Sequence, residues 1–265
     1  MAEAGERFEQ KAPLAFDAGY AQWKEWDPER FGRYSVLDAQ YFAAEFAIET
    51  PSQARVLEIG FGNGSSLAWL QAIGADAYGV EANPLLVGRA ERMLGAGRVF
   101  SDLHAPALER LVGTFTRVIA VDVVEHVPLN ELPGMLARIR DLLTIGGKAV
   151  LRFPNGDSPF GRIYQHGDPS HVTTLGSARL AYLAERAGLQ PEIIRAPALP
   201  VRGVGFARAC RRRLILAARS VIERCLGQLY FGGRLVPLDP NYTAVLRRTD
   251  AGAAGQRSPG HSQLL

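Results

Sequence analysis

The stretch VLEIGFGNGSS at Val56–Ser66 places three alternate glycines between an apolar run and an amphipathic one. Gly60, Gly62 and Gly64 can take positive φ angles and let a ligand approach the backbone closely. The helix expected after them would offer free N–H groups and the positive end of its dipole. This order of strand, glycine turn and helix predicts a nucleotide-like ligand outside the carboxyl end of the strand. A tight turn without a ligand is the simpler alternative.

The alternation of apolar strand and helix continues along the chain after this loop. Asn83 and Pro84 mark one helix start, as an N-cap followed by proline at the first helical position. The strand patterns are almost wholly apolar, which is typical of parallel sheets covered by helices on both faces. Five strands are predicted before Pro154, at residues 54–59, 77–81, 98–101, 115–124 and 148–153.

The pattern changes after Pro154. The polar segment 155–174 is too long for a plain connector between two elements. A helix ending at Gly188, a sixth strand at 191–199 and a seventh at 242–248 follow, with one or two helices between the last two strands. Residues 250–265 have no core-forming pattern, so we expect that tail to be disordered.

The composition fits one large domain or two small ones and excludes several classes of protein. Of 265 residues, 47% are hydrophobic and 22% are charged, which is ordinary for a globular protein. Cys210 and Cys225 are the only cysteines, so a disulfide framework and a cysteine-rich zinc module are excluded. The first residues lack the apolar core of a secretory signal, and no run approaches the roughly 20 apolar residues of a membrane span. We therefore expect a cytoplasmic protein.

Three residues near the glycine loop discriminate between ligands. Ser65 stands where a dinucleotide fingerprint has glycine or alanine, while Glu81 lies about twenty residues on, where an acid would bind a ribose hydroxyl. Glu58 precedes Gly60 by two residues, where its carboxylate would repel a pyrophosphate and attract an ammonium group. S-adenosylmethionine (SAM) carries such an ammonium group and a sulfonium cation. A nicotinamide-dependent oxidoreductase stays open on the glycines and Glu81, and Glu58 argues against it.

Five motifs in order resemble the class I SAM-dependent methyltransferases, over residues from about 54 to 190. They are EIGFGNG at 58–64, GVEANP at 79–84, the pair at 102–103, VIAVDVVEHV at 118–127 and LLTIGGKAVLRFPN at 142–155. The resemblance implies an α/β, Rossmann-like fold with a seven-stranded, mostly parallel sheet and helices on both faces. It further implies the strand order 3-2-1-4-5-7-6, with an antiparallel seventh strand.

The resemblance also implies how SAM would be held. The glycine loop would bind its methionine part, the acid after the second strand its ribose, and the pair after the third strand its adenine. The implied cofactor-binding residues are Glu58, Gly60, Gly62, Asn63, Gly64, Glu81, Ala82, Asp102, Leu103, Asp122 and Val123.

Two histidines are candidates for the general base that a hydroxyl acceptor needs. His126 follows the fourth strand, close to where the transferable methyl group should lie; alternatively it caps the next helix or contacts SAM together with Glu125. His171 lies in a segment similar to the histidine-containing segment of ubiquinone-type and sugar-modifying methyltransferases; alternatively it only orders a loop. His166 and Asp157 share that segment as further candidates.

Several acceptor chemistries are disfavoured. The N/D-P-P-Y signature of amino-methylating nucleic-acid enzymes is absent, so a nucleic acid is not the expected partner. No cysteine lies near the site to form a thiol adduct, and no spacing indicates a dedicated metal, so we predict no metal site. The ending PLDPNYTAVLRR at 237–248 resembles methyltransferases of bacterial surface-polysaccharide synthesis.

We therefore predict O-methylation of a sugar hydroxyl in a surface polysaccharide or lipid-linked glycan precursor. A quinone, a phenol or another small-molecule acceptor stays open as an alternative. A catalytically silent scaffold with the SAM-binding fold, which would act through a partner, is the alternative from a different class.

Residues 51–249 are predicted to form the methyltransferase domain, preceded by a helical, aromatic segment at 1–50. Its aromatic side chains would cover the ligand as a lid or pack an N-terminal helix against the core. The aromatics in question are Tyr20, Trp23, Trp26, Phe31 and Tyr34.

The segment 202–234 is predicted to be a basic helical insertion. Eight arginines and one acid give it a net charge of +7, against −4 for the rest of the chain. Three interpretations stay open: a helix that covers the sheet and keeps its basic face in solvent, peripheral contact of residues 204–230 with an anionic membrane surface, or an anionic substrate. On a helical wheel, Arg208, Arg212 and Arg219 lie opposite an apolar face made of Phe206, Cys210, Leu214, Ala217, Val221 and Cys225.

Overall fold

The computed structural model describes Lys24 and residues 28–250. Within that part of the chain, seven strands form one sheet. They are β1 (Arg55–Ile59), β2 (Asp76–Val80), β3 (Val99–Phe100), β4 (Phe115–Val121), β5 (Leu143–Pro154), β6 (Leu189–Arg195) and β7 (Asn241–Arg248). The α-helices are α1 (Val36–Phe46), α2 (Ser65–Ala72), α3 (Pro84–Leu94), α4 (Leu132–Leu142), α5 (Gly161–Gly167), α6 (Ser177–Arg186) and α7 (Phe206–Tyr230).

The strand order is β3-β2-β1-β4-β5-β7-β6, which confirms the predicted Rossmann-like sheet. Neighbouring strands from β3 to β5 pair in parallel. β7 runs antiparallel to both β5 and β6. The order reverses between β1 and β4, and ligands of such sheets bind in the crevice at that switch point.

Alternate residues of the central strands supply two separate cores, one on each face of the sheet. Leu57 belongs to the core beneath α4 and α6, and its neighbour Val56 to the core beneath α2 and α3. Both side chains are fully buried, and each such burial stabilises the fold by about 1.5–3 kcal/mol. The near-continuous apolar character of the strands follows from this two-sided burial.

Local signals in the sequence fix the helix starts that flank the crevice. Asn83 accepts a hydrogen bond from the Leu85 N–H as the N-cap of α3. α2 begins directly after Gly64, whose φ of 70° turns the chain from the loop into the helix. Ser35 and Asp38 form a reciprocal capping box at the start of α1.

The polar segment 155–174 contains one short helix, α5, which sequence periodicity did not predict. The segment is attached to the C-terminal part of the chain by the Asn155 side chain, which donates hydrogen bonds to the Pro237 and Asp239 carbonyls at 2.9 and 2.8 Å. Ser158 donates to the Leu238 carbonyl at 2.8 Å. These bonds hold α5 over the carboxyl ends of the strands.

The basic insertion is a single helix, α7, and its orientation differs from the wheel-based expectation. Arg219 forms an ion pair with Asp239, and Arg212 donates to the Pro200 carbonyl, so both arginines face the protein. Phe206 and Leu214 on the apolar face are 84% and 72% exposed. The inward side of the helix makes polar contacts with Pro200, Leu238 and Asp239, and it also carries the buried Ala209 and Gly227. Within the described residues, no helix combines the length and apolar character needed to cross a bilayer.

Candidate active site

The glycine loop after β1 forms one wall of a cavity of about 450 Å³. Gly60, Gly62 and Gly64 all have positive φ, at 68°, 50° and 70°. A Cβ on Gly60 would lie 2.6 Å from Cγ2 of Val123, and a Cβ on Gly64 would lie 2.5 Å from the ring of Phe31. Side chains at these glycines would therefore strain the backbone and push their neighbours out of place.

Glu58 lies in this cavity with an incompletely satisfied carboxyl group. The Ser66 hydroxyl donates a hydrogen bond to Oε1, whereas the buried Oε2 has no partner among the described residues. Burial raises the pKa of Glu58 to about 8, although the bond from Ser66 opposes the rise. A buried carboxyl of this kind gains most from a ligand that brings a positive charge.

Glu81 follows β2 and supports the loop from the other side. Its Oε2 accepts the Gly62 N–H at 3.1 Å, and its Oε1 accepts the Asn83 N–H at 3.0 Å. Burial raises the pKa of Glu81, and these backbone donors partly offset that rise. Each oxygen keeps a second lone pair, so the carboxylate can accept further hydrogen bonds from a ligand's hydroxyl groups.

Asp122 directly follows β4 and has a φ of 56°, in the left-handed region. Such a conformation is uncommon for a residue other than glycine and concentrates at functional sites. Its carboxylate forms a bidentate ion pair with Arg152 of β5, which also donates to the Tyr41 hydroxyl at 3.0 Å. Asp122 and Arg152 line the first cavity and also a second cavity of about 280 Å³.

His126 lies in the first cavity, and a network fixes the proton on its ring. Ser170 Oγ donates its single hydrogen to Asp168, whose other oxygen lies 2.8 Å from Lys24 Nζ. Ser170 Oγ, 2.9 Å from His126 Nδ1, must therefore accept the Nδ1–H. This assignment follows from the hydrogen-bond network and leaves Nε2 with a free lone pair. Burial and the neighbouring His171 lower the pKa of His126, which keeps the ring neutral, and so able to accept a proton, at neutral pH.

His171 lies against His126, with ring centroids 4.6 Å apart in an edge-to-face arrangement, and it lines the second cavity. Its Nε2 is 3.8 Å from Glu125 Oε1 and 3.6 Å from Asp168 Oδ2, beyond hydrogen-bond distance. Burial lowers the pKa of His171. Burial, with a contribution from Asp122, raises the pKa of Glu125 well above its usual range.

The structure thus brings together most of the residues singled out in the sequence. Eight of the predicted site residues line the first cavity: Glu58, Gly60, Gly62, Asn63, Glu81, Asp122, Val123 and His126. His171 lines the second cavity, and Gly64 lies between the loop and α2.

The residues predicted to flank adenine lie outside the lining of the first cavity. Asp102 is exposed and accepts the His104 N–H at 2.7 Å, and the Leu103 carbonyl accepts from Arg138 at 2.9 Å. Ala82 does not line the cavity either, so the roles of these three residues stay predictions.

Several residues of the two cavities escaped the sequence analysis, and four of them carry charge or a hydroxyl group at the site: Lys24, Tyr41, Arg152 and Asp168. Arg152 had a signal, because a charged residue near the end of a mostly apolar central strand indicates a charged partner nearby. The other three had none, since their neighbours at the site are distant in sequence. Phe31 contacts the glycine loop, whereas Tyr20, Trp23 and Trp26 lie outside the described residues.

The residues of the first cavity fit SAM. The unpartnered Glu58 Oε2 suits an ammonium group, the Glu81 carboxylate suits ribose hydroxyls, and the glycine loop leaves no room for side chains. The strand order 3-2-1-4-5-7-6 and this site together identify the protein as a class I SAM-dependent methyltransferase.

Comparison with known proteins agrees with that class. A family described as "Methyltransferase domain" matches residues 29–192, and the chain belongs to this family. The ubiquinone biosynthesis O-methyltransferase of Xanthomonas axonopodis pv. citri (strain 306) is 27% identical over 157 residues, which is 54% of this chain. The match spans 65% of that protein's own length.

Solved structures share the fold. A SAM-dependent methyltransferase from Archaeoglobus fulgidus is 18% identical with a TM-score of 0.55, covering 88% of this chain and 100% of its own. Magnesium protoporphyrin IX methyltransferase from Synechocystis PCC 6803, solved with bound SAH, is 15% identical with a TM-score of 0.51, covering 89% of this chain and 96% of its own.

Proposed function

We propose that this protein transfers the methyl group of SAM to a hydroxyl of a sugar, in a surface polysaccharide or a lipid-linked glycan precursor. The observation that carries the proposal is the pair of cavities that share Lys24, Asp122 and Arg152. The first cavity carries the features expected of a SAM site. The second adjoins it at the His126–His171 pair and would hold the acceptor.

The lining of the second cavity favours a polyhydroxylated acceptor over a flat aromatic one. It combines charged groups of both signs with Tyr164, His171 and Asn241. Such groups can donate to and accept from several hydroxyls at once, as sugars require. A phenolic acceptor would instead be expected to lie between apolar or aromatic side chains.

The chemistry needs alignment and a proton acceptor. When bound, SAM supplies an electrophilic methyl group on a sulfonium. A sugar hydroxyl has a high pKa, so removing its proton as the C–O bond forms lowers the barrier. The Asp168–Ser170 network leaves Nε2 of His126 as a proton acceptor, and His126 lies in the first cavity against His171 of the second. His126 is therefore our first candidate for the base, and His171 the second.

The likeness to a ubiquinone biosynthesis O-methyltransferase favours a second candidate function, O-methylation of a phenolic or quinol hydroxyl. A phenol ionises far more easily than a sugar hydroxyl, and it would depend less on His126. Dependence on this residue therefore separates the two functions.

Incubating the purified chain with methyl-labelled SAM and a panel of acceptors tests the proposal. The panel contains lipid-linked sugars, soluble glycans, catechols and quinols. We expect label in an alkali-stable sugar methyl ether. Transfer to catechols or quinols alone would replace the sugar proposal with the phenolic one, and no transfer to any acceptor despite SAM binding would favour the scaffold alternative.

A further inference from the structure

The outward face of α7 (Phe206–Tyr230) is apolar, which is the reverse of what a solvated surface helix shows. Phe206, Leu214, Val221 and Leu229 are 84%, 72%, 58% and 75% exposed. With 3.6 residues per turn, these positions fall on one side of the helix along its whole length. We call this surface the apolar face of α7.

Arginines border this face on both sides. At about 100° per residue, Arg211 lies along one edge of the apolar face, and Arg213 and Arg224 lie along the other. All three are exposed. Long arginine side chains can lay their aliphatic stems along an apolar surface and extend the guanidinium groups beyond it.

The inward face fixes this orientation. Gly227 is buried, and a Cβ on it would lie 2.5 Å from the Arg234 carbonyl oxygen. Glu223, the single acid between residues 202 and 234, accepts the Leu238 N–H at 2.8 Å. The only negative charge of the segment is therefore directed toward the protein, and the outward side carries no acidic group.

We propose that the apolar face of α7 docks peripherally on a membrane rich in anionic phospholipids. An apolar strip bordered by cations matches acyl chains below a layer of phosphate groups, and helices of this kind lie in the plane of the interface. A second copy of the chain is a poorer occupant, since a two-fold interface would bring two sets of arginines together. Nucleic acid would match the arginines but would not bury the apolar strip.

The docked helix would lie next to the acceptor side of the molecule. An apolar cavity of about 400 Å³ between α7 and the start of α5 is lined by Phe160, Ile222 and Leu226. On α5 itself, Ile163 and Tyr164 are exposed and line the second cavity. Delivery of a lipid-linked acceptor along this route rests on the proposed function, whereas membrane docking does not.

Co-sedimentation of the full chain with vesicles tests the docking. One vesicle type contains equal parts of phosphatidylglycerol and phosphatidylcholine, and the other contains phosphatidylcholine only. We expect binding to the first type alone. Leu214→Ser with Val221→Ser should weaken it about tenfold or more, because two large apolar side chains leave the bilayer. Arg211→Gln and Arg224→Gln should each weaken it about fivefold.

Two substitutions elsewhere serve as matched controls. Ile145 is 64% exposed on β5 and Arg110 is exposed near β4, so Ile145→Ser and Arg110→Gln should leave vesicle binding unchanged. SAM affinity, measured without vesicles, should be equal in every variant, which separates lost docking from lost folding or lost cofactor binding. Absence of wild-type binding to anionic vesicles, or equal binding of the Leu214→Ser, Val221→Ser variant, would overturn the proposal. A dimer in sedimentation that the same pair disrupts would also overturn it, by assigning the face to self-association.

Discussion

Glu58 and His126 are the residues on which the chemical account depends most. Both were identified from sequence, but their protonation states follow from neighbours that sequence does not reveal. Ser66 and burial determine the state of Glu58, and Ser170 with Asp168 determines the tautomer of His126. At the scale of the residue, the expected behaviour is therefore a dependence on pH.

SAM affinity should rise with pH because of Glu58. Burial raises the pKa of this carboxyl to about 8 from 4.5, and an ammonium ligand favours its ionised form. Between about pH 6 and 8, affinity should then rise by up to about tenfold per pH unit. Calorimetric titration with SAM at several pH values measures this. The Glu58→Gln variant should bind SAM weakly and without this slope, whereas Glu109→Gln, at an exposed position, should keep it. A wild-type affinity that does not change with pH would refute the ammonium assignment.

The same pKa shift predicts an opposite trend for folding. Because the folded protein holds the Glu58 proton more tightly than the unfolded chain, this group stabilises the fold fully below about pH 4.5 and loses that contribution as pH rises toward 8. Glu58→Gln removes the ionisation, so its free energy of unfolding relative to wild type should increase over that interval. Denaturant unfolding without SAM measures the difference, and a parallel pH dependence in both proteins would contradict the shift.

Removal of His126 should lower kcat with little change in SAM affinity. General-base catalysis contributes about 10²–10⁴-fold, so His126→Ala should lose that much with a sugar acceptor. Ser170→Ala frees Nδ1 from its hydroxyl partner and should shift the acid limb of the kcat–pH profile while retaining part of the rate. His166→Ala, an exposed histidine on α5, is the matched control and should keep wild-type kcat. An unchanged kcat in His126→Ala would remove this residue as the base.

At the scale of the element, the glycine loop is where sequence reasoning succeeded most fully. Positive φ at alternate glycines and the helix start after Gly64 were both expected from VLEIGFGNGSS. The contact between Gly64 and Phe31 was not, because the two residues lie far apart along the chain and their contact depends on how the N-terminal part crosses the loop.

Because of that contact, alanine substitutions at Gly64 and Gly74 separate the effect of the Phe31 contact from the effect of a positive φ angle. Both have positive φ, at 70° and 82°, so alanine at either position should cost about 1–2 kcal/mol of stability. A Cβ at Gly74 has nothing within 4 Å, whereas one at Gly64 meets the Phe31 ring. Gly64→Ala should therefore also weaken SAM binding, and Gly74→Ala should not. Thermal unfolding and SAM titration of both variants measure this; equal SAM affinities would show that Phe31 does not support the loop.

α7 shows where the helical wheel was insufficient. The wheel separated apolar from basic positions correctly, but solvent preference did not determine which side faces the protein. Asp239 and the Leu238 N–H lie far along the chain, and their bonds to Arg219 and Glu223 turn the polar side inward. An amphipathic pattern shows which residues share each face of a helix. Only the contacts with the rest of the protein show which of the two faces points inward.

At the scale of the whole molecule, the sheet was predictable because each apolar strand and the helix after it can be recognised from a short stretch of sequence. The order 3-2-1-4-5-7-6 was implied by the family resemblance, and the strand pairings confirm it. The second cavity was not predictable, since it joins Lys24 near the N-terminus to α5 and to Asn241 of β7. Sites built from residues so far apart depend on the complete fold.

The central claim is that the first cavity binds SAM through Glu58 and Glu81. Calorimetric titration of the purified chain with SAM, S-adenosylhomocysteine and NADH tests it most directly, with Glu81→Ala measured beside the wild type. We predict that SAM and S-adenosylhomocysteine bind in the micromolar range and that NADH does not bind. Glu81→Ala should lower the affinity for SAM at least about tenfold, since the carboxylate that accepts hydrogen bonds from two ribose hydroxyls is removed. Binding of NADH in place of SAM, or an unchanged SAM affinity in a folded Glu81→Ala variant, would contradict the account.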